Sequence, residues 1–433
     1  MANTIAALAS GRPPAAIAVI RLSGPSAFAA LSGLLGGPLP TPRRLSLRRL
    51  HDPVTAELLD QAMVVCFPGP DTASGEDLAE LHLHGGVAVI DAVLGALLAH
   101  PDVRLAEPGE FTRRAFANGR LDLAEVEGIA DLVAAETTAQ RRQALSLAGG
   151  ALSRAAEAWR SECLAVLAQA EAGLDFAEDE ADVAQRLDEA ARETLLAMAD
   201  RLALLLVDSA RAAQVLNGLT IAVTGAPNVG KSSLVNALAM CEAAIVTPLA
   251  GTTRDPIAVP IVLDGVGALL IDTAGLRDTV DVIEAEGIRR ARIRAAAADL
   301  VITVVVPGEQ TEPEVDGLVV VNKIDTHGPA SLPSKALSVS ALRGDGVAEL
   351  RAWLTDWAKQ LVRPGEPALL VNARHRAAFA DAALSLRAAA EASDPVLRAE
   401  CLRTAAHAFG RVAGRVDVDD VLDRIFSQFC VGK

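Results

Sequence analysis

The octapeptide Gly225-Ala226-Pro227-Asn228-Val229-Gly230-Lys231-Ser232 fits G-x-x-x-x-G-K-S/T and stands between an apolar run, Thr220–Val223, and a helix-forming stretch, Ser233–Met240. A strand, a glycine-rich turn and a helix in that order commit this region to a parallel α/β sheet with a phosphate-binding loop. The glycines let backbone N–H groups turn inward, the helix N-terminus adds a positive field, Lys231 reaches the β and γ oxygens, and Ser232 is placed to ligate Mg²⁺. Asn228, Val229, Gly230, Lys231, Ser232 and Ser233 are therefore candidate phosphate-binding residues. Between about 217 and 360 further apolar runs, Ala268–Ile271, Leu300–Val306 and Leu318–Val321, alternate with helical patterns, which implies βαβ units and a mainly parallel sheet.

Three downstream motifs narrow the nucleotide. Asp272-Thr273-Ala274-Gly275 places a carboxylate at a strand end near Mg²⁺ and offers the Gly275 N–H to the γ-phosphate. Asn322-Lys323-Ile324-Asp325 follows the run ending at Val321; the Asp325 carboxylate can accept from both the N1–H and the exocyclic amine of guanine, an edge that adenine lacks. Ser340-Ala341 fits the loop that completes a guanine pocket. Together these select GTP. In Ras-like switches a Gln after D-x-x-G orients the attacking water, but here that residue is Leu276, which has no polar atom. Transition-state charge also calls for a cation. Asn228 offers an amide oxygen as ligand for a monovalent ion, with turn formation as the plainer alternative.

The 433 residues predict about three domains. Residues 1–118 mix β-branched runs (Ala15–Ile20, Ala62–Cys66) with Gly/Pro turns and read as a small α+β domain. Residues 119–215 carry a helix stripe, Leu123, Val126, Ile129, Ala130 and Val133; 216–361 form the α/β module; and 362–433 return to helix spacing at Leu402, Ala405, Phe409 and Val412. Neither helical stretch has an obvious partner alone, so the economical reading is one discontinuous bundle interrupted by the α/β module. Lys plus Arg is 40 against 55 Asp plus Glu, a formal charge of −15, which argues against an avid free-standing nucleic-acid binder. Apolar runs are far shorter than the 18 or so residues that a span requires. No signal peptide is evident after Met1, so the chain reads as cytoplasmic. Five cysteines without C-x-x-C make a disulfide framework or zinc site improbable.

Gly251-Thr252-Thr253-Arg254-Asp255, Asp272 through Arg277, and the terminal Phe429-Cys430-Val431-Gly432-Lys433 together resemble one family, the bacterial tRNA-uridine-modifying GTPases MnmE or TrmE. Ser74-Gly75-Glu76-Asp77, His84-Gly85-Gly86, Pro108 through Phe116, and Leu121-Asp122-Leu123-Ala124 extend the match nearly end to end. The resemblance implies a multidomain α/β and α protein: an N-terminal α+β folate-binding and dimerisation domain, a discontinuous helical bundle and an inserted Ras-like P-loop GTPase domain. It implies a K⁺ site at Asn228, Thr247, Leu249 and Thr252, Mg²⁺ on Ser232 and Thr253, and nucleotide contacts from Thr247, Thr252 and Thr253. Glu284 would align the hydrolytic water, the plain alternative being a solvated helix-start carboxylate. Arg21, Glu80, Arg120 and Lys433 would hold a formyl-tetrahydrofolate, and Cys430 would have a role in modification or else be a buried small hydrophobe. Partners would be a second copy, an FAD-containing protein resembling MnmG in a heterotetramer, and tRNA, whose wobble uridine 34 would gain a carboxymethylaminomethyl or aminomethyl group at C5.

Two departures stand out: Arg120 replaces a common Lys, and Ser10–Ala16 replaces a Gly-rich segment. His82 and His84 alternate with Leu81 and Leu83 and read as core or surface residues rather than metal ligands. The competing functional class is a ribosome-assembly or regulatory GTPase switch whose chemistry ends at hydrolysis.

Overall fold

The computed structural model describes residues 4–176, 181–216, 218–240, 258–272, 298–308, 317–326, 336–361, 370, 372–414, 429 and 432, with side chains for all except 170–176, 181–187 and 210–216. The chain divides into two compact units. The first comprises Met1–Val133, Leu145–Leu196 and Leu384–Lys433, the second Ala134–Ala144 and Ala197–Ala383. The domain limits read from the sequence are finer than this division.

In the first unit, β1 (Thr4–Leu8), β2 (Ala15–Ser23), β3 (Ser46–His51), β4 (Leu58–Phe67), β5 (Leu78–Gly85) and β6 (Val103–Leu105) form a sheet in the order β3-β4-β5-β2-β1-β6. All pairs are antiparallel except β1 with β6. Strand alternation divides its residues cleanly. Ala18, Ile20, Leu22, Val64, Cys66, Ala79, Leu81 and Leu83 bury one face beneath α1 (Ala27–Leu35) and α2 (Val87–Leu98). Each such Leu or Ile contributes about 1.5–3 kcal/mol by leaving water. Burial also pushes the Cys66 thiol up to about 11, so it behaves as a small hydrophobe. The register leaves Val19, Arg21, Ser23, Val65, Phe67, Glu80 and His82 on the opposite face.

Two of the motifs behind the family resemblance meet in one ionic network. Ser74 Oγ and Ser23 Oγ lie 2.6 Å apart, Ser23 Oγ donates to Glu76 Oε2 at 2.7 Å, and Arg114 Nη1 donates to the same oxygen at 3.1 Å. Arg114, on α3 (Glu110–Ala117), also donates to Glu110, which accepts two bonds from Arg104 and one from the Glu107 N–H. Burial alone would raise the Glu110 carboxyl, but these donors outweigh it and hold it at about 2. A depressed carboxyl contributes stability above its unfolded value, and that contribution is lost as pH falls from about 4.5 towards 2. Glu110→Gln is expected to destabilise this unit by about 2 kcal/mol at pH 7 and by roughly half as much at pH 3. Urea denaturation at the two pH values checks this, and an equal cost at both would refute it.

The helices of this unit are α4 (Leu123–Ala134), α5 (Thr138–Ala148), α6 (Ala151–Phe176), α7 (Ala181–Leu216), α10 (Ala373–Glu391) and α11 (Pro395–Val412), of which α4, α5, α7 and α10 run across its limits. Leu402, Ala405, Phe409 and Val412 are all buried, as their spacing predicts. They face α6, where the rings of Trp159 and Phe409 stack 6.3 Å apart and Cys163 Sγ approaches the Leu402 carbonyl at 3.3 Å. On α4, Val126 packs with Ile129, Ala130 and the C-terminal Phe429, while Val133 is exposed, so the predicted stripe ends a turn early. Gly432 takes φ 101°, and a Cβ there would sit 2.2 Å from the Leu8 carbonyl oxygen, so the chain end passes β1 at a distance only glycine permits.

In the second unit, β7 (Leu219–Thr224), β8 (Ala258–Leu263), β9 (Val266–Asp272), β10 (Leu300–Val305), β11 (Leu318–Val321) and β12 (Leu337–Ser338) lie in the order β12-β11-β10-β7-β9-β8. The four strands expected from the sequence appear within two residues of their limits. Two strands were not expected: the two-residue β12, which pairs parallel with β11, and β8, which pairs antiparallel with β9 at the sheet edge, where Pro260 is tolerated. The strands bury Ile221, Val223, Leu270, Ile302, Val304 and Val320 against α8 (Lys231–Met240) and α9 (Val347–Leu361). Among the described residues, no helix is long and apolar enough to cross a membrane.

Candidate functional site

The strand β7 has β9 on one side and β10 on the other, so the loop leaving its carboxyl end opens at the topological switch point where open α/β sheets bind ligands. The local sequence explains the loop. Gly225 has φ 138°, and a Cβ there would meet the Val304 carbonyl oxygen at 2.2 Å; Gly230 has φ 97°, with Asn322 Nδ2 2.3 Å from where its Cβ would stand. Asn228 takes φ 66°, a left-handed conformation that Asn accepts more readily than most residues. The conformation fits turn formation.

Lys231 is buried, and its Nζ donates to the Gly225 and Ala226 carbonyls, each at 2.8 Å. The ammonium is thereby held inside the loop. Ser232 Oγ donates to Asp272 Oδ2, joining the P-loop hydroxyl to the carboxylate at the end of β9. Two hard oxygens converging beside a phosphate loop fit the donor set of Mg²⁺.

The residues of the Asn322–Asp325 and Ser340-Ala341 motifs are tied to the same loop. Asn322 is buried; its Nδ2 donates to the Val229 carbonyl at 2.9 Å and its Oδ1 accepts from the Ala341 N–H at 3.0 Å. Asn322 therefore braces two loops. Lys323 Nζ donates to the Asn228 carbonyl at 2.6 Å. Asp325 Oδ1 accepts from Ser340 Oγ at 2.8 Å, and that oxygen accepts in turn from the Arg343 N–H. The structure thus assembles Asn228, Val229, Gly230, Lys231, Ser232, Asp272, Asn322, Lys323, Asp325, Ser340 and Ala341 around one loop system, with Ser233 following on α8. Thr247, Leu249, Thr252, Thr253, Thr273, Ala274, Gly275 and Glu284 lie outside the described residues.

A second constellation occupies the open face of the N-terminal sheet. Arg21 on β2 faces Glu80 on β5, and its Nε and Nη2 both donate to Glu80 Oε1, at 3.0 and 2.8 Å. The Phe111 ring centroid lies 5.8 Å from the Arg21 guanidinium carbon, within cation–π range. His82 Nε2 lies 3.5 Å from Glu80 Oε2. Of the four residues that the resemblance suggested, the structure brings Arg21 and Glu80 together; Arg120 pairs instead with Asp71 at 2.8 Å. Cys430 and Lys433 lie outside the described residues. Sequence reasoning treated His82 as incidental and did not single out Phe111. The i, i+2 spacing of Glu80 and His82 on one strand face was the available signal for the first. His84, by contrast, is exposed and pairs with Asp60 at 2.7 Å.

Phosphate loop, hard-oxygen pair and guanine-reading carboxylate on a doubly wound sheet define a P-loop GTPase, an enzyme that hydrolyses GTP. Family models agree on the rest of the chain. One described as the GTP-binding protein TrmE N-terminus matches residues 4–120, and one described as the MnmE helical domain matches 123–430. The tRNA modification GTPase MnmE of Methylobacterium sp. (strain 4-46) is 50% identical over 439 residues, covering 100% of both chains. That of Rhodospirillum rubrum is 49% identical over 455 residues, covering 100% of this chain and 99% of its own. Among solved structures, the FeoB G-domain from Methanococcus jannaschii is similar over 33% of this chain and 98% of that one, at 24% identity and a TM-score of 0.23. This chain belongs to the MnmE (TrmE) family of tRNA modification GTPases.

Proposed function

We propose that this GTPase of tRNA modification hydrolyses GTP in a potassium-dependent way and, with an FAD-containing partner in a heterotetramer, installs a carboxymethylaminomethyl or aminomethyl group at C5 of wobble uridine 34. The observation that carries the nucleotide part is the Asn322 brace, which couples the phosphate loop to the loop holding Asp325. Binding of guanine at Asp325 and of phosphates at Lys231 is then one event. The GTPase domain is taken as 216–361, flanked by helical segments 119–215 and 362–433, with a folate-binding and dimerisation domain at 1–118. The enzyme works in the cytoplasm as a homodimer.

Mg²⁺, on Ser232 and Thr253, supplies charge to the β and γ oxygens. K⁺, on Asn228, Thr247, Leu249 and Thr252, supplies the positive charge that a protein-borne arginine gives elsewhere. The left-handed Asn228 at the loop tip supports this assignment, as does Leu276, which cannot orient water. Glu284 aligns the attacking water, while Lys231 and the Gly275 N–H hold the phosphoryl oxygens. Thr273 and Ala274 complete the loop around the γ-phosphate. Replacing K⁺ by Na⁺ is expected to lower GTP turnover at least tenfold, about 1.4 kcal/mol of barrier. Steady-state rates in matched chloride salts test it, and equal rates would remove potassium from the mechanism.

A folate held by Arg21, Glu80, Arg120 and Lys433 supplies the one-carbon unit. Glu80 accepts from the aminopyrimidine edge with the oxygen that Arg21 leaves clear, and Arg21, set against the Phe111 ring, holds that carboxylate in place. Cys430 acts beside the transferred carbon. Calorimetric titration with 5-formyltetrahydrofolate is expected to give binding that Glu80→Ala removes.

A further inference from the structure

Arg43 and Arg120 come from separate parts of the first unit and converge on a single carboxylate. Arg120 Nη2 donates to Asp71 Oδ1 at 2.8 Å, and Arg43 Nη2 lies 3.6 Å from Asp71 Oδ2 and also donates to the Asp71 carbonyl. The arrangement is positioned by backbone. Arg43 takes φ 60°, a strained conformation for a non-glycine residue, and is held there by its N–H bond to the Cys66 carbonyl at 2.8 Å. Its guanidinium lies 5.9 Å from the Phe67 ring centroid. Phe67 shares the open sheet face with Val65, the register partner of Glu80, so the ring that Arg43 approaches stands one cross-strand diagonal from Glu80.

Two cations here meet one carboxylate. The adjoining acids are engaged elsewhere, Glu76 by Ser23 and Arg114 and Asp77 by the Gly69 N–H. The Asp71 side chain is 80% exposed, against 50% for Arg43 and 41% for Arg120. Ion pairs so exposed are screened by water, contribute little and exchange readily. A ligand bringing several carboxylates would satisfy both guanidiniums with more charge than Asp71 supplies.

We propose that Arg43 and Arg120 form a reader for the poly-γ-glutamate tail of the folate, with Asp71 as the carboxylate they exchange for it. The proposal rests on the folate reading of Arg21 and Glu80 and adds Arg43, Asp71 and a preference for the polyglutamylated form. The full-length protein is titrated calorimetrically with 5-formyltetrahydrofolate as the monoglutamate and as the pentaglutamate. The pentaglutamate is expected to bind about tenfold more tightly. Arg43→Gln should cut that ratio below about threefold, and Asp71→Asn, which frees both guanidiniums, should tighten the pentaglutamate several-fold. Equal affinities in the unaltered protein, a full ratio surviving in Arg43→Gln, or weaker pentaglutamate binding in Asp71→Asn would each overturn the tail reader while leaving monoglutamate binding to stand. Failure of both forms to bind would overturn the folate reading, and the tail reader with it.

Discussion

Lys231→Ala is expected to lower kcat/KM for GTP by a factor of about 10² to 10³. A preorganised donor aimed at developing charge in a water-excluded site is worth about 2.7–4 kcal/mol, and the proposed reaction gives that part to Lys231, which is buried and held by two backbone carbonyls. The loss should fall on triphosphate binding and on chemistry together, because the ammonium faces charge that is present in the ground state and grows in the transition state. GDP affinity should suffer less than GTP affinity. Steady-state kinetics with parallel nucleotide titrations measure this, with thermal denaturation to confirm that the variant is folded. Turnover near that of the unaltered protein would contradict the assignment of the loop.

Asp325→Ala should remove the preference for guanine. The carboxylate offers paired acceptors to two donors of the guanine edge, and bonds to a charged acceptor contribute about 1.5–3 kcal/mol each, so GTP affinity should drop on the order of a hundredfold or more. ATP affinity, already weak, should change little, and discrimination should collapse. Ser340→Ala is the informative companion: it removes one hydrogen bond that orients Asp325 without touching the acceptors, and should cost about tenfold or less. Competition binding with GTP and ATP reads both variants. Unchanged discrimination in Asp325→Ala would place base recognition elsewhere.

Both results would reach the far side of the site through Asn322. Its amide joins the Val229 carbonyl to the Ala341 N–H across two loops distant in sequence. In the sequence Asn322 stands as a nucleotide-binding candidate in the motif that ends at Asp325. Only the folded chain shows that it works as a brace, because its 2% exposure leaves its polar atoms to backbone partners that no local pattern reveals.

Much of the molecule was nonetheless legible in the residues alone. The strand–loop–helix run of the phosphate loop, the four parallel strand segments and the apolar stripe of α11 follow from motif spacing and from periodicities of two and of about 3.6, which local sterics and burial impose within a few residues. The family motifs likewise stand in the chain as written. The edge strand β8 did not, since Pro260 interrupts its pattern and its pairing with β9 is antiparallel. The roles of Glu76, Glu110 and Arg114 did not either: in the sequence they were motif residues without an assigned part, whereas folded they anchor α3. The partner of Arg120 was equally hidden. The physical reason is common to these cases: local periodicity sets which face a residue takes, but which charge meets which is set by strand register and loop return, and these bring together residues tens of positions apart.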